Sequence, residues 1–497
     1  MNKIFKLFLF AFIITASGVL VVSCDVEDGK DGIDGIDGED GSDISDYLSA
    51  SKTPTLLKVT DGFINLRIST LLTSEDVIPN TPNFIYGSMA DGAGLINNGD
   101  NTFTLINNIE ADYSIARILL NENLRPYHGE YILNATATAE TAMCSGTLVT
   151  PEEHGFGPLY LSGGEWGGAS KGVFATDPNK SVDDASVGET LAALGQWSTE
   201  NAVPIGKDAY ADKTVVFIGD DHADNSVPSG QLGMYVGNRG DLYGGQLYGL
   251  KVTAAGVDFE MDMAEGTSYS AEFVPLNETE IDALDAEAKT KGVMGFSRLE
   301  DIDWRRGSAA NQREIYFCVT GRISASLTGK GSALGRVYKV TLNETDPTGP
   351  ATITCVLDGD IVGGVAEGFH SPDNILVTEN YAYIQEDPNG YLDTSVNGYA
   401  KLYQYNLNTG ELKTVLETDQ SRAESLGYGS TSSTWEITGM IDVTDVVNNG
   451  ENTFLVMTQN HGWEPADGTS FTDPLANPNV SNRKEGSMLY VIKGLDR

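Results

Sequence analysis

The most regular feature of the chain after residue 51 is a series of short apolar runs separated by Gly, Asn and Asp. Short runs bounded by turn-forming residues are typical of β-strands. The pattern predicts strands at 102–106, 214–218, 246–252, 315–319, 336–342, 351–357, 375–377, 381–385 and 454–458. In residues 401–416, apolar and polar residues alternate on both sides of a turn that contains Asn408 and Gly410, and this pattern predicts a hairpin.

Helical patterns are rare. The clearest covers 277–291, where Ile281, Leu284 and Ala288 recur at helical spacing and Gly292 follows as a stop. A shorter one covers 187–194. Many short strands without alternating helices predict an all-β protein, and over this length a β-propeller rather than a single sandwich. No repeat of fixed period is visible, so self-similarity does not give the number of blades.

The amino terminus has the pattern of a signal peptide, because Lys3 and Lys6 precede an apolar run at 7–22. Ser23 and Cys24 follow, and a small residue before a lone Cys resembles the bacterial lipobox, whose Cys is lipidated after cleavage. An uncleaved membrane anchor is the alternative. We therefore expect a signal peptide at 1–23, a lipidated tether at 24–50 and a propeller domain at 51–497.

The tether is acidic and rich in Gly. The acids directly after Cys24 resemble the signal that sends some lipoproteins to the outer face of the outer membrane. We expect an outer-membrane lipoprotein of a Gram-negative bacterium, at the cell surface or facing the periplasm, that contacts the membrane through its lipid only. Gly recurs at 29, 32, 35, 38 and 41, but so few triplets without Pro do not predict a collagen helix. A flexible linker is expected, with Ca²⁺ binding by its Asp residues as the alternative.

The formal net charge of −40 argues against nucleic acid or anionic lipid as partners. It suits an extracellular protein that binds divalent cations, or one that is simply soluble. We expect a monomer. Besides Cys24, the chain has Cys144, Cys318 and Cys355, without the spacing of a zinc site. Cys318 lies in an apolar run and is predicted to be a packed strand residue.

Several predicted strands end in acidic residues. They are Glu110, Glu152 and Glu153, Glu200, Asp220 and Asp221, Glu300 and Asp301, Asp373, Glu386 and Asp387, and Glu436. Because the inner strands of a propeller converge on its axis, one carboxylate per blade would form an oxygen cage suited to Ca²⁺. The alternative is that each acid belongs to an ordinary turn.

Nine blocks of sequence resemble, in order and approximate spacing, the PhoX-type alkaline phosphatase family. They are GTLVTPEE (146–153), LGQWSTEN (194–201), VVFIGDD (215–221), QLY (246–248), SRLED (297–301), GRVY (335–338), SPDNI (371–375), YIQED (383–387) and WEITG (435–439). The resemblance extends over about 61–462.

This resemblance implies a six-bladed β-propeller with a few short helices, whose central cavity holds Ca²⁺ and Fe³⁺ and hydrolyses small phosphate monoesters. Family metal carboxylates match Glu200, Glu300, Asp373 and Glu436, and less closely Glu110, Glu152 and Glu386. Arg298 matches the family arginine that clamps the phosphate. Clustered cations polarise a phosphoryl group and activate water, while a guanidinium grips phosphate oxygens.

The chain departs from the family where relatives have a Cys that supplies a thiolate to iron, because Pro151 stands there. Iron is thereby placed in question, and whether Cys144 or His154 replaces the Cys does not follow from sequence. His461 ends a late predicted strand and either enters the site or lies at the surface. A phosphatase is one hypothesis. The other is a non-catalytic, calcium-stabilised propeller that binds a ligand or partner at the cell surface, and a lactonase or phytase activity is a third class.

Overall fold

The computed structural model describes residues 51–388, 398–479 and 484–497. The chain divides into two units, Met1–Asp43 and Ile44–Arg497, and the fold below is that of the second. The expected signal peptide, the lipidation site Cys24 and the tether lie outside the described residues. No helix in the described ranges combines the length and the hydropathy that crossing a membrane requires.

Strands make up most of the regular structure. They are β1 (Leu57–Val59), β2 (Arg67–Thr73), β3 (Ala90–Asn97), β4 (Phe103–Ile109), β5 (Ser114–Leu120), β6 (Pro126–Leu133), β7 (Thr141–Val149), β8 (Leu159–Gly167), β9 (Gly172–Thr176), β10 (Thr199–Pro204), β11 (Lys213–Asp220), β12 (Leu232–Asn238), β13 (Gln246–Val252), β14 (Ser268–Leu276), β15 (Leu299–Trp304), β16 (Glu314–Val319), β17 (Arg336–Thr341), β18 (Ala351–Asp358), β19 (Pro372–Val377), β20 (Tyr381–Glu386), β21 (Lys401–Asn406), β22 (Leu412–Thr418), β23 (Glu436–Asp442), β24 (Thr453–Asn460) and β25 (Gly486–Lys493).

The described helices are short. The α-helices are α1 (Pro151–His154), α2 (Ile281–Lys291), α3 (Gln420–Leu426) and α4 (Thr444–Val447), and the 3₁₀ turns are Asp61–Phe63, Val182–Asp184, Ala192–Leu194, Glu260–Asp262 and Asn311–Arg313. Helix α2 confirms the predicted helix and ends at Gly292, whose φ of 78° suits a residue without a Cβ. The predicted helix at 187–194 is wrong apart from its last turn, because the Leu191 N–H donates to Val173 and the segment runs beside β9.

The described strands form five antiparallel sheets, so the prediction of an all-β protein is confirmed. Their orders are β1-β22-β21-β20-β19, β2-β25-β24-β23, β3-β4-β5-β6, β7-β8-β9 and the nine-stranded β10-β11-β12-β13-β14-β18-β17-β16-β15. The fold is propeller-like, because β3, β7, β10, β15, β19 and β23 each contact the next and β23 returns to β3. We call these the inner strands.

Every inner strand contains a β-bulge near its start. In β10, for example, Thr199 pairs with Asp220 and Ala202 with Ile218, so two residues face one on the partner strand. The same interruption occurs in the other inner strands, at 90–93, 143–146, 299–302, 372–375 and 438–441. A bulge bends the strand and redirects the side chains of the extra residues. These bulges contain Asp91, Cys144, Glu200, Glu300 and Asp373.

The hydrophobic core lies between neighbouring sheets. Tyr383 of β20 packs against Phe454 of β24, with ring centroids 5.6 Å apart. Cys318 is buried in a cluster with residues of β19 and β20, which confirms the prediction of a packed strand residue. Both sheets that close the ring also take an edge strand from the start of the domain, since β1 pairs with β22 and β2 with β25.

The strands predicted from apolar runs all lie in observed strands. The run at 246–252 coincides with β13, and the hairpin at 401–416 forms β21 and β22. Boundaries differ by a few residues, mainly where the polar residues of a bulge precede the apolar part of an inner strand. Strand β19, for example, begins at Pro372 rather than Ile375.

Candidate metal centre

The candidate site lies where the inner strands begin. In an antiparallel pair, the start of one strand and the end of the next lie at the same end of the sheet. Inner strands and their neighbours therefore bring together Asp91, Glu110, Cys144, Glu165, Glu200, Asp221, Glu300, Asp373, Asp387, Glu436 and His461, a set that we call the acidic centre. Four groups of three within this set have potential ligand atoms less than 4.8 Å apart.

Two of these groups share Cys144. It lies close to Asp91 and Glu110 on one side and to Glu165 and Glu200 on the other. The Cys144 Sγ donates to Glu165 Oε2 at 2.8 Å. Burial raises the pKa of the Cys144 thiol well above its usual value, and the adjacent carboxylates of Glu110 and Glu165 raise it further. Without a cation, Cys144 is therefore held as a thiol.

A purely carboxylate group consists of Glu200, Glu300 and Asp373, all of which are buried. Burial raises the pKa of each of the three carboxyls, and repulsion from neighbouring carboxylates of the acidic centre adds to the rise. A backbone amide, the N–H of Ser145, donates to Glu200 Oε1 at 3.3 Å. The arrangement favours protons or cations among these oxygens.

Asp387, Glu436 and His461 form the remaining group. Burial raises the pKa of Glu436 well above its usual value, and Asp387 raises it further. The His461 ring is buried, and its Nδ1 lies 2.9 Å from Glu485 Oε2. The group thus combines two carboxylates with an imidazole.

Arg298 places a guanidinium at the acidic centre. Its Nε and Nη2 donate to the two carboxylate oxygens of Asp221 at 2.9 and 3.1 Å, and Nη2 also lies 2.8 Å from Glu300 Oε1. Burial opposes the positive charge, but Asp221 and Glu300 outweigh it and hold the pKa of Arg298 above its usual value. Its φ of +66° is unusual for a residue with a Cβ, so the backbone is strained at this position.

Neutral side chains fix the position of Asp91. The Thr438 hydroxyl donates to Asp91 Oδ1 at 2.6 Å, and the Asn374 amide donates to the same oxygen at 3.3 Å and to Ser145 Oγ at 2.6 Å. Burial nevertheless raises the pKa of Asp91 to about 8, and Glu110 adds to the rise. These contacts link the bulges of four inner strands.

The donor set fits metal ions. Ionised carboxylates are costly to bury unless they are paired or bound to a cation, and Arg298, which pairs with Asp221 and Glu300, supplies one positive charge among many carboxylates. Carboxylate oxygens suit Ca²⁺, whereas a thiolate or an imidazole suits a transition metal. The residues therefore fit a centre of several cations of more than one type.

Most of the residues expected from sequence lie in the acidic centre. Glu200, Glu300, Asp373, Glu436, Glu110 and Arg298 all do. Both oxygens of Glu110 accept hydrogen bonds, from Trp166 Nε1 at 2.7 Å and from Gln459 Nε2 at 2.8 Å. For these residues the structure establishes that they lie close to one another in the acidic centre.

Glu386 is buried outside the groups with potential ligand geometry. Its carboxylate accepts from the backbone N–H groups of His370 at 2.7 Å and Lys401 at 3.0 Å, and from the Tyr403 hydroxyl at 3.0 Å. Burial raises its pKa to about 8. The next residue, Asp387, is the one that lies beside Glu436 and His461.

The structure does not bring Glu152 to the acidic centre. Glu152 is exposed on α1, which follows the end of β7, whereas Cys144 lies near the start of that strand. The start of an inner strand lies beside the other acids, so a residue after its end emerges at the opposite end of the sheet. Pro151 is the first residue of α1 and is likewise remote. The thiol near the acids is that of Cys144.

Sequence reasoning missed Asp91 and Glu165 as site residues, and left open whether Cys144 or His154 replaces the family cysteine and whether His461 enters the site. It noted Asp221 and Asp387 without assigning them a role. A usable signal was present. An acidic residue or Cys followed by a small or amide residue opens several inner strands, as in Glu200-Asn201 and Asp373-Asn374. Asp91-Gly92 and Cys144-Ser145 follow the same rule.

Comparison with solved structures supports the fold. Pseudomonas fluorescens PhoX in complex with vanadate, a transition state analogue, is 13% identical, with a TM-score of 0.59 over 90% of this chain and 97% of that chain. Streptomyces coelicolor aldose sugar dehydrogenase in its PQQ-bound form is 10% identical, with a TM-score of 0.36 over 86% of this chain and 98% of that one. The arabinofuranosidase Arb93A from Fusarium graminearum is 11% identical, with a TM-score of 0.37 over 84% of this chain and 97% of that one. The last two are too dissimilar to carry an argument.

No curated protein matches the chain. The model of the family described as alkaline phosphatase PhoX matches residues 173–462, which is more than half of the chain. The match includes Glu200, Arg298, Glu300, Asp373 and Glu436. The family expected from the ordered sequence blocks is thereby confirmed, and the chain belongs to the alkaline phosphatase PhoX family.

Proposed function

We propose that this protein is a metal-dependent hydrolase of small phosphate monoesters in which Arg298 grips the phosphate. The observation that carries the proposal is the position of the Arg298 guanidinium, which lies beside the carboxylates that would hold the cations. A guanidinium pairs with two phosphate oxygens at once, whereas a structural calcium site needs only oxygen ligands. The family membership of the chain supports the same activity.

We propose six blades, each beginning with one inner strand. On this interpretation the nine-stranded sheet consists of two blades that are joined where β14 pairs with β18. The recurrence of a bulge in each inner strand supports the count, because five of the six bulges deliver a residue to the acidic centre and the sixth strand, β23, begins with Glu436.

Two kinds of cation would occupy the acidic centre. Glu200, Glu300 and Asp373 supply oxygens suited to Ca²⁺, with Glu436 nearby. Cys144, Glu165 and Glu200 supply a thiolate and oxygens suited to iron, so Pro151 no longer argues against it. When bound, such cations polarise a phosphoryl oxygen and activate water.

The residues of this chain would bind and orient the ester. Arg298 is now paired with Asp221 and Glu300, and cations bound to these carboxylates would free the guanidinium for two phosphate oxygens. Asp221 holds the guanidinium in place until then. The hydrogen bonds from Asn374 and Thr438 keep Asp91 and Ser145 fixed, so the ligands do not have to reorganise when cations bind.

The test is hydrolysis of p-nitrophenyl phosphate by the purified protein loaded with Ca²⁺ and iron, before and after chelation. Chelation should abolish turnover, and metal readdition should restore it. Arg298→Ala should lower kcat/KM by about 10²- to 10³-fold, the usual loss when a charged transition-state contact is removed. Arg305→Ala, at the other end of β15, is the matched control and should keep its activity. Absence of turnover under every metal loading would overturn the proposal.

A second candidate is a non-catalytic, calcium-stabilised propeller that binds a ligand or partner at the cell surface. The observation in its favour is that Nε and Nη2 of Arg298 are engaged by the carboxylates of Asp221 and Glu300, as expected of a residue that only offsets their charge. On this hypothesis, Arg298→Ala lowers thermal stability and calcium affinity, and neither it nor the parent protein hydrolyses the ester.

We also propose that the protein is a monomeric outer-membrane lipoprotein anchored through Cys24, whose substrate is a small ester and not nucleic acid. The lipobox-like sequence and the formal net charge of −40 support this. In cells fed labelled palmitate, the full chain should carry label, and Cys24→Ala should not. Label retained in the variant would contradict the anchor.

A further inference from the structure

One ligand group of the acidic centre contains a nitrogen donor. A ring nitrogen of His461 and carboxylate oxygens of Asp387 and Glu436 lie within 4.8 Å of one another. Three atoms at such separations can share one ion, because bonds from a metal to oxygen or nitrogen are about 2.0–2.5 Å long. Glu436 and His461 come from the ends of β23 and β24 that lie together, and Asp387 follows β20.

The two ring nitrogens of His461 have different surroundings. Nδ1 is paired with Glu485 Oε2 at 2.9 Å. Nε2 is buried without a hydrogen-bond partner among the described residues, in a side chain that is only 4% exposed. A buried polar atom is nearly always satisfied in a folded protein, so an unsatisfied nitrogen on an imidazole that belongs to a potential ligand group indicates a missing ligand.

The position of Glu485 is a further feature typical of a metal-binding histidine. Metal-binding histidines usually direct their second nitrogen to a carboxylate, which fixes the tautomer and increases the basicity of the nitrogen that binds. With Nδ1–H donating to Glu485, Nε2 carries a lone pair and can accept a metal. The Gly462 N–H donates to the other oxygen of Glu485 at 3.0 Å, so the carboxylate is itself held in position.

We propose that Asp387, Glu436 and His461 form a subsite for a divalent transition-metal ion, with His461 Nε2 as its nitrogen ligand and Glu485 as a positioning residue. The subsite shares no residue with the two groups that contain Cys144. Ca²⁺ takes oxygen ligands, whereas imidazole suits zinc, iron and similar ions. The inference rests on the proposed function only in taking the acidic centre to be a metal centre, and it holds whether or not the ions turn over phosphate.

Three protein ligands leave coordination positions open. Structural zinc sites are filled by four protein ligands, while catalytic sites keep a position for water or substrate. The subsite therefore offers a place for a phosphate oxygen at the acidic centre.

The test uses the purified full chain, stripped with chelator and then dialysed against Ca²⁺ with Zn²⁺ as the probe. Bound metals are counted by mass spectrometry. His461→Gln should bind one fewer zinc than the parent protein and the same calcium. His128→Gln, a half-buried histidine on β6, is the matched control and should lose none. Glu485→Gln should weaken zinc binding by about 10- to 100-fold without removing the site.

A second measurement does not depend on any variant folding. The zinc X-ray absorption spectrum of the loaded parent protein should contain the outer-shell scattering of an imidazole. Equal zinc content in His461→Gln and the parent protein, or a spectrum with oxygen and sulfur ligands only, overturns the subsite. Because neither readout is turnover, a protein that gives this spectrum but hydrolyses no ester under any metal loading would contradict the proposed hydrolase and leave the subsite intact.

Discussion

Strand β15 carries an arginine near each end, and the two ends differ in how their charges are balanced. At its start, Arg298 pairs with Asp221 and Glu300 beside further buried carboxylates. Beyond its end, Arg306 pairs with Asp303, donates to the Val377 carbonyl at 3.0 Å and lies 4.3 Å from the centre of the Trp304 ring.

The two ends of β15 differ in the number of carboxylates around each arginine and not in the types of residue. Around Arg306, each charge has a partner of opposite sign, so that end is stable as it stands. At the start of the strand, carboxylates outnumber the guanidinium, and burial together with repulsion from neighbouring carboxylates raises the pKa values of Glu200, Glu300 and Asp373 although Arg298 is close. Surplus negative charge in a buried place, rather than acidic residues as such, marks the end that needs metal ions.

The largest expected effect is on the pH dependence of the chelated protein. The pKa of Asp91 is raised to about 8 in the folded state, so this group keeps a proton that the unfolded chain loses near pH 4. The free energy of unfolding therefore falls as pH rises through this range, by up to about 1.4 kcal/mol per pH unit for each such proton and on the order of 5 kcal/mol in all. Urea titrations from pH 4 to pH 8 measure this.

The metal-loaded protein is the control for that series. Cations replace the retained protons, so its free energy of unfolding should depend on pH less steeply. Equal slopes with and without metal would mean that the carboxylates of the acidic centre do not bind the ions.

The next largest effect is expected at the end of β15, around Arg306. Arg306→Ala should lower the free energy of unfolding by about 3 kcal/mol, because it leaves Asp303 buried without its partner. Turnover per folded molecule should be unchanged. Lys413→Ala breaks an exposed ion pair with Glu411 and should cost less than about 1 kcal/mol. A loss of turnover in folded Arg306→Ala would show that both ends take part in the chemistry.

Cys144→Ser should weaken iron binding by at least about 100-fold, or about 2.7 kcal/mol, because a hydroxyl is a poor substitute for a thiolate. The visible charge-transfer absorption of the iron-loaded protein should disappear with it. Cys355→Ser is the matched control, since Cys355 is buried in a different cluster. Unchanged absorption in Cys144→Ser would exclude the thiolate as a ligand.

The smallest effect is expected at Glu152. Glu152→Gln alters an exposed side chain, so it should change the free energy of unfolding by less than about 0.5 kcal/mol and leave metal content unchanged. Loss of a bound ion in this variant would show that α1 reaches the acidic centre.

Much of this fold could be predicted from sequence, because buried strands produce apolar runs and turns produce Gly, Asn and Asp. The residues Glu200, Glu300, Asp373 and Glu436 could be predicted for the same reason, since each lies at the polar edge of an apolar run. The error at Glu152 has a physical cause. Acidic residues before and after a strand look alike in sequence, but they lie at opposite ends of the sheet.

The bulges were not predictable from hydrophobic patterning. A bulge inserts one residue into the alternation of a strand, and within β7 it redirects Cys144 although its neighbours read as an ordinary strand. The role of His461 was also hidden, because it depends on Glu485, which comes from the start of a different strand. Contacts between distant segments decide which polar residues of a strand meet.

The pairing of β2 with β25 has a consequence for the order of events during synthesis. The polypeptide emerges with its amino terminus first, so β2 waits for its partner until residues 486–493 have been made. The hairpin of β23 and β24 likewise has no strand on its outer side until β25 pairs with β24. The sheet that contains Glu436 is therefore completed only by the last strand to be synthesised, which joins it to β2 from the start of the domain.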